Sequence, residues 1–288
     1  MNVVERDANV ENKSARLREV IAAHPGLIVA YSGGVDSAFL AWTAHQILGE
    51  HMLAVIADSA SLSRSHLEDA VAFAREQTIP LEIVETRELE NPAYVRNDST
   101  RCFHCKDELF NVIERYCEAH AFSAIAYGVN ADDQGDFRPG QQAARAHRVL
   151  APLLDAGLNK SEIRELARKA ELRVWDKPAS ACLASRVEYG REVTAETLST
   201  IERGEDALRR LGFRQFRVRH HGEIVRIEIA RDELPKALNE TVARKFTEIF
   251  KNLGFKFVTL DLEGFRSGSM NQLLTASELL RGSGSSAG

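Results

Sequence analysis

The stretch Leu27-Ile-Val-Ala-Tyr31-Ser32-Gly33-Gly34-Val35-Asp36-Ser37 decides the fold, together with the amphipathic run Ala38 to Leu48 that follows it. Leu27–Tyr31 is continuously apolar and reads as a buried strand, Ser32–Ser37 as a turn, and Ala38–Leu48 as a helix. Strand, glycine turn and helix N-terminus in that order make an anion cradle. The glycines let the backbone aim its N–H groups inward, the serine hydroxyls add donors, and the helix dipole favours negative charge there. No Gly-Lys-Ser/Thr follows, which separates this loop from the lysine-bearing phosphate loop. The plainer reading is a glycine turn whose Ser and Asp cap a helix, yet capping alone needs neither both glycines nor both serines.

Working outward, strand and helix signals alternate. Apolar runs at Leu27–Tyr31, Leu53–Ala57, Leu81–Val84, Ala124–Tyr127 and Val149–Leu154 read as parallel strands. Helical patterns lie between them: Leu67, Ala70, Val71 and Ala74, opened by Ser65 and Glu68 as a capping box, and Ile163, Leu166, Ala167 and Ala170. This order predicts an α/β fold, a doubly wound parallel sheet binding ligands at the carboxyl ends of its strands. After about Tyr189 the order becomes helix (Thr194–Leu211), strands (Phe216–Arg219, Ile224–Ile229), helix (around Pro235–Leu253) and strand (Phe255–Leu262), a smaller C-terminal α+β domain. The expected division is a flexible lead at 1–14, a nucleotide domain at 15–189, an α+β substrate and oligomerisation domain at 190–275, and a flexible tail at 276–288.

The chain has 288 residues, 44% of them hydrophobic, and a formal net charge of −5. That size supports about two domains, and the charge argues against a nucleic-acid partner. No apolar run approaches the ~20 residues of a membrane span, and the first 20 residues are charged throughout, so a cytoplasmic protein is expected without membrane contact. Its four cysteines then read as ligands or nucleophiles rather than disulfides. Cys102-Phe-His-Cys105 is a CxxC pair, Cys182 stands in Ala-Ser-Ala-Cys-Leu-Ala-Ser185-Arg186, and Cys117 falls mid-helix as a packed or surface thiol. Three cysteines suit a [4Fe-4S] cluster with one open iron; the plainer alternative is a structural zinc site, which His104 would complete as Cys3His.

With both motifs in view, Ser32–Ser37 resembles the signature of the PP-loop ATP pyrophosphatases, which cleave ATP between the α- and β-phosphates. From about residue 15 to 275 the chain resembles the LarE family, sulfur transferases of nickel-pincer nucleotide biosynthesis that serve lactate racemase maturation. The resemblance rests on Ser32–Ser37, Asp136-Phe-Arg-Pro-Gly140, Ala179–Arg186, Arg217-Val-Arg219 with Ile227-Glu228, and Leu260–Gly268. One branch of the family has a single cysteine, at the position of Cys182, which gives up its own sulfur. This chain also carries Cys102 and Cys105 and so resembles the three-cysteine [4Fe-4S] branch.

The resemblance implies that ATP with Mg²⁺ adenylates a carboxylate of a pyridinium-3,5-biscarboxylic acid mononucleotide, and that sulfur displaces AMP to give a thiocarboxylate. Sulfide or another donor supplies the sulfur. It assigns Ser32, Gly33, Gly34, Asp36 and Ser37 to the phosphates, Asp36 also to Mg²⁺, and Cys102, Cys105 and Cys182 to the metal, with Cys182 at the chemistry. Ser185, Arg186, Arg217 and Arg219 match the substrate-phosphate pocket, and Glu205 and Glu228 match acidic positions beside it. Arg217 and Arg219, two apart on a strand, point to one face, and planar guanidinium forks suit a phosphate dianion; pairing with the arginines is the plainer role for the two glutamates. Asp58, Ser59 and Gly128 stand at strand ends where adenosine enters such folds, or are ordinary turn residues there. Arg138 is assigned to a phosphate, with a surface arginine as the alternative. His220 and His221 read as solvated turn residues. The family also implies a homo-oligomer, with a hexamer as its form.

Two rivals remain. A cluster-dependent tRNA thiolase needs a basic surface that a net charge of −5 does not offer. A non-catalytic nucleotide sensor would not need an intact loop with Asp36.

Overall fold

The computed structural model describes residues 3–120, 122–134, 139–178, 181–266 and 269–270. Arg138 and the flanking Asp136 and Phe137, Ala179, Ser180, Ser267, Gly268 and the 276–288 tail lie outside the described residues. The elements are α1 (Val3–Ala22), β1 (Leu27–Ala30), α2 (Val35–Leu48), β2 (Met52–Asp58), α3 (Arg64–Glu76), β3 (Leu81–Glu85), α4 (Pro92–Val95), α5 (Arg101–His120), β4 (Ala124–Tyr127), α6 (Pro139–Ala146), α7 (Pro152–Asp155), α8 (Lys160–Lys169), α9 (Ala195–Arg210), β5 (Phe216–His221), β6 (Ile224–Ile229), α10 (Leu234–Ala237), α11 (Glu240–Asn252) and β7 (Phe257–Leu260).

The chain divides into two compact units. The first holds Met1–Ser59, Arg64–Arg87 and Cys105–Ser180; the second holds Ala60–Ser63, Glu88–His104 and Ala181–Gly288. The expected single cut at Tyr189 is therefore corrected. Backbone bonds explain the two inserted segments: Leu183 N–H donates to the Ser61 carbonyl, Val193 to Val95 and Gly190 to Asn97. The unit boundary falls inside α5, after His104.

In the first unit the strands run β3-β2-β1-β4, all parallel. Leu27, Ile28 and Val29 are fully buried, as a strand covered on both faces requires. The fifth expected strand is corrected: Leu150 makes only an isolated bridge with Ala126, because Pro152 lacks the donor a ladder needs and starts α7 instead. The flexible lead is corrected too, since α1 starts at Val3 and buries Val10, Leu17 and Ile21. Helix α3 begins at Arg64, so Ser65 lies in its first turn rather than at its cap. Helix α8 carries a full capping box between Asn159 and Glu162, and Lys13 of α1 pairs with Glu162 at 2.7 Å.

In the second unit the strands run β5-β6-β7, with β5 and β6 antiparallel and β7 parallel to β6. Val218 pairs with Ile227, and both are fully buried. Arg217 pairs with Glu228, and Arg219 with Arg226, on the opposite face. The expected helix over Pro235–Leu253 is two, because Asn239 interrupts it and caps α11 through the Thr241 N–H. His220 and His221 end β5 rather than form the turn, and His221 pairs with Glu188 at 3.2 Å. Among the described residues no helix is long and apolar enough to cross a membrane.

Candidate functional sites

The anion cradle of the first unit follows β1. Gly33 has φ +69°, and a Cβ there would stand 2.6 Å from the Ala70 Cβ; both the conformation and the space demand glycine. Gly34 is extended and precedes α2. Ser37 ties the loop shut, its Oγ lying 3.0 Å from Ser32 Oγ, accepting from Ser32 N–H at 3.1 Å and donating to the Gly34 carbonyl. Gly128, just past β4, would put a Cβ 2.7 Å from the Ser37 nitrogen. Its bare backbone lets the strand end abut the helix start, so its place is against the cradle's own backbone.

Asp36 lies in the first turn of α2, and Lys160 at the start of α8 donates to its Oδ2. Its Oδ1 is buried with no hydrogen-bond partner among the described residues. Burial raises its pKa, and only part of that is offset by the Lys160 hydrogen bond and charge. A buried carboxylate with a bare oxygen at a phosphate loop is chemically suited to a divalent cation such as Mg²⁺. Asp58 is engaged by Arg64 at 2.6 Å, and the Ser59 carbonyl accepts from the same guanidinium at 2.9 Å.

Two cradle contacts carry no sequence signal of their own. His66 Nε2–H donates to the Ser32 carbonyl at 2.8 Å. Lys177 donates to the Gly33 carbonyl at 2.9 Å and pairs with Asp69, which Arg173 also holds. Lys160, Lys177 and His66 come from three separate segments, so only the tertiary fold assembles them.

In the second unit Cys182 precedes the 3-10 turn Leu183–Arg186. Arg186 is almost wholly buried beneath it. Its Nη1 donates to the Ala181 and Cys182 carbonyls at 2.6 and 2.8 Å, and its Nε and Nη2 donate to Glu205 at 2.9 and 3.3 Å. Ser185 Oγ donates to the Cys182 carbonyl at 2.8 Å. Arg219 donates to the Ser185 carbonyl at 3.0 Å and to Glu228 at 2.8 Å, and Glu228 also accepts from Ser269 at 2.7 Å. Both glutamates are thus paired with the arginines, the plainer of their two roles.

Arg217 differs from its neighbours. It lies 4.8 Å over the Phe265 ring and donates to the Phe216 carbonyl. Burial first, and then the charges of Arg186 and Arg219 against the opposing pull of Glu205, lower its pKa to about 10. A planar guanidinium there is chemically suited to a phosphate.

None of the four cysteines forms a disulfide; Cys102 is exposed, while Cys105, Cys117 and Cys182 are half-buried. Burial, followed by Glu114 and Glu118, raises Cys117 to about 11, which makes it a poor nucleophile or ligand. Among the described residues no group of three or more His, Cys, Asp or Glu side chains could hold a metal ion. In kind, however, Cys102, Cys105 and Cys182 are suitable donors.

Residues 9–127 match the NAD synthase family model. The chain is 40% identical to an uncharacterized protein of Synechocystis sp. over 92% of its own length and 99% of the relative. It is 30% identical to the pyridinium-3,5-bisthiocarboxylic acid mononucleotide synthase of Lactiplantibacillus plantarum over 94% and 98% of the two chains. An uncharacterized protein of Methanocaldococcus jannaschii is 31% identical over 84% and 91%.

Proposed function

This chain belongs to the family of the pyridinium-3,5-bisthiocarboxylic acid mononucleotide synthase, the LarE family of PP-loop proteins, and from that premise we propose that it is an ATP-dependent sulfur transferase acting on a pyridinium dicarboxylate mononucleotide. The observation that carries this reading is the pair of unlike anion receptors. One unit has a cradle of backbone amides and serine hydroxyls closed on Gly33 and Gly128. The other has Arg217, a half-buried guanidinium on the strand face it shares with Arg219 and over the Phe265 ring. Two phosphorylated ligands, ATP and a mononucleotide, account for both.

A carboxylate is a poor electrophile because its leaving group would be oxide. One of its oxygens attacks the α-phosphorus of ATP as the bond to pyrophosphate breaks, giving an acyl adenylate. The cradle N–H groups stabilise the charge that develops on the departing phosphates. Sulfur then forms a bond to the carbonyl carbon, and AMP leaves with the electron pair of the C–O bond. Asp36 would hold Mg²⁺, which would neutralise pyrophosphate charge. Cys102, Cys105 and Cys182 would hold a [4Fe-4S] cluster, which would supply sulfide to the reaction and leave the thiols intact. Arg217 binds the mononucleotide phosphate, while Arg186, Arg219, Glu205 and Glu228 keep the Cys182 turn and the strand face in shape.

The buttressed turn that bears Cys182, its carbonyl held by Arg186 and Ser185, favours a second reading in which Cys182 gives up its own sulfur alone. Anaerobically purified protein, incubated with ATP, Mg²⁺, sulfide and the dicarboxylate mononucleotide, tests both readings. The expected result is pyrophosphate and AMP release that depends on the mononucleotide and not on tRNA, with product mass rising by exchange of oxygen for sulfur. Iron and acid-labile sulfide in the protein support the cluster. A protein that loses the elements of hydrogen sulfide at Cys182 in a single turnover points to the sacrificial route, and stoichiometric zinc without iron ends the cluster reading.

A further inference from the structure

Arg101, immediately before Cys102, is buried at 4% exposure although arginine is seldom buried without a reason. Its Nη1 donates to the Ala184 carbonyl at 2.9 Å, two residues beyond Cys182, and also to Asn97 Oδ1. The guanidinium lies 5.7 Å over the Tyr189 ring. Asn97 is itself fully buried and held at φ +56°, a conformation few side-chain-bearing residues adopt. Its Nδ2 reaches the Glu188 and Val187 carbonyls at 2.9 and 3.4 Å. Asn97 and Arg101 thus form a two-residue clasp. Through these carbonyl and amide contacts it joins the start of α5, which bears Cys102, to the segment that bears Cys182.

The clasp's cation is the chain neighbour of Cys102, and the carbonyl it holds lies two residues past Cys182. Burying that cation for the fold's sake alone is unfavourable, since an apolar residue fills such a place without the desolvation.

We propose that Arg101 is the positioning residue of the sulfur site, fastening the Cys182 turn to the Cys102 helix start. The inference deepens the sulfur-transfer reading and rests on it, whichever of the two sulfur routes operates. Arg101 touches neither ATP nor the mononucleotide phosphate in this role, so its removal separates the two halves of the reaction. Ligand-orienting residues outside the bonded shell typically change affinity or activity by about ten- to a hundredfold.

The test compares Arg101→Gln and Arg101→Lys with the parent protein. The readouts are substrate-dependent pyrophosphate release, thiocarboxylate formation, metal and acid-labile sulfide per chain after anaerobic reconstitution, and the melting temperature. Arg101→Gln is expected to keep pyrophosphate release within about threefold, while thiocarboxylate formation falls at least about tenfold and bound metal falls with it. Arg101→Lys, which keeps the charge without the planar fork, is expected to recover part of the loss. Thiocarboxylate formation within about twofold of the parent in Arg101→Gln overturns the proposal. So does a parallel fall in pyrophosphate release, or loss of fold in both variants, either of which makes Arg101 a general structural residue. Failure of the underlying reading looks different: the parent protein itself then releases no pyrophosphate in response to the mononucleotide.

Discussion

The two units recognise anions by opposite means. The first uses backbone: Gly33 and Gly128 stand where no Cβ fits, and Ser32 and Ser37 close the loop on each other. The second uses long side chains: Arg186 and Arg219 are buried against Glu205 and Glu228, and Arg217 lies over the Phe265 ring with a pKa lowered chiefly by burial. A backbone cradle is specified by a few adjacent residues. A guanidinium array is specified by partners far apart in sequence, and it fails when one partner goes.

That contrast is most exposed at Arg186. Glu205→Ala leaves a guanidinium at 2% side-chain exposure without its carboxylate. The expected loss is about 3–5 kcal/mol of stability, the usual effect of stranding a buried charge. Urea unfolding followed by circular dichroism measures it. A loss below about 1 kcal/mol would mean the array is no more than a set of surface-type pairs.

Gly33→Ala attacks the other design. A left-handed residue with a Cβ costs about 1–2 kcal/mol, and the 2.6 Å approach to Ala70 adds a packing penalty of about 1–3 kcal/mol. Displacing the loop is expected to slow pyrophosphate release by about a hundredfold. Thermal melting and a pyrophosphate assay read the two effects separately. Wild-type release rates in this variant would show that the cradle tolerates movement the backbone design forbids.

Arg217→Ala tests whether this arginine is a receptor. Charge-assisted hydrogen bonds contribute about 1.5–3 kcal/mol, so KM for the mononucleotide is expected to rise about ten- to a hundredfold while KM for ATP stays unchanged. Stability is expected to fall by about 1 kcal/mol, from the lost packing of the guanidinium on the Phe265 ring. Equal increases in both KM values would instead make Arg217 part of a general scaffold.

The same contrast explains what the sequence discloses. The phosphate loop is legible because Ser32–Ser37 supplies its donors, turn and helix start within six residues. The α/β alternation is legible because buried parallel strands leave apolar runs such as Leu27–Tyr31. The run at Val149–Leu154 misleads because it is equally apolar, and only Pro152 betrays it. Residues 60–63 and 88–104 joining the C-terminal unit leave no local trace, since backbone bonds such as Leu183 to Ser61 depend on tertiary contact. Lys160 on Asp36, and Arg101 beneath the Cys182 turn, are hidden for that reason. The pairing of Arg217 and Arg219 on one face follows from strand period alone, whereas the ion pairs of Arg186 with Glu205 and of Arg219 with Glu228 do not.

The smallest effect belongs to a charge cluster that is less buried. His147 sits between Asp107 and Glu114, at 3.0 and 2.9 Å, on partners 39% and 42% exposed. Burial lowers its pKa, but the hydrogen bonds and charges of Asp107 and Glu114 outweigh it and the net direction is upward. A histidine with a raised folded-state pKa adds stability that is complete below its unfolded pKa of about 6.5. That contribution is lost as pH rises through the folded-state value. Solvent screening at both carboxylates keeps it below about 1 kcal/mol. His147→Gln is therefore expected to lower the melting temperature slightly at pH 5.5 and to leave it unchanged at pH 9, values about one unit below and more than two above the reference. A deficit that persists at pH 9 would mean the ring contributes by packing rather than by charge. A deficit as large as that of Glu205→Ala would mean that burial is not what separates strong ion pairs from weak ones in this protein.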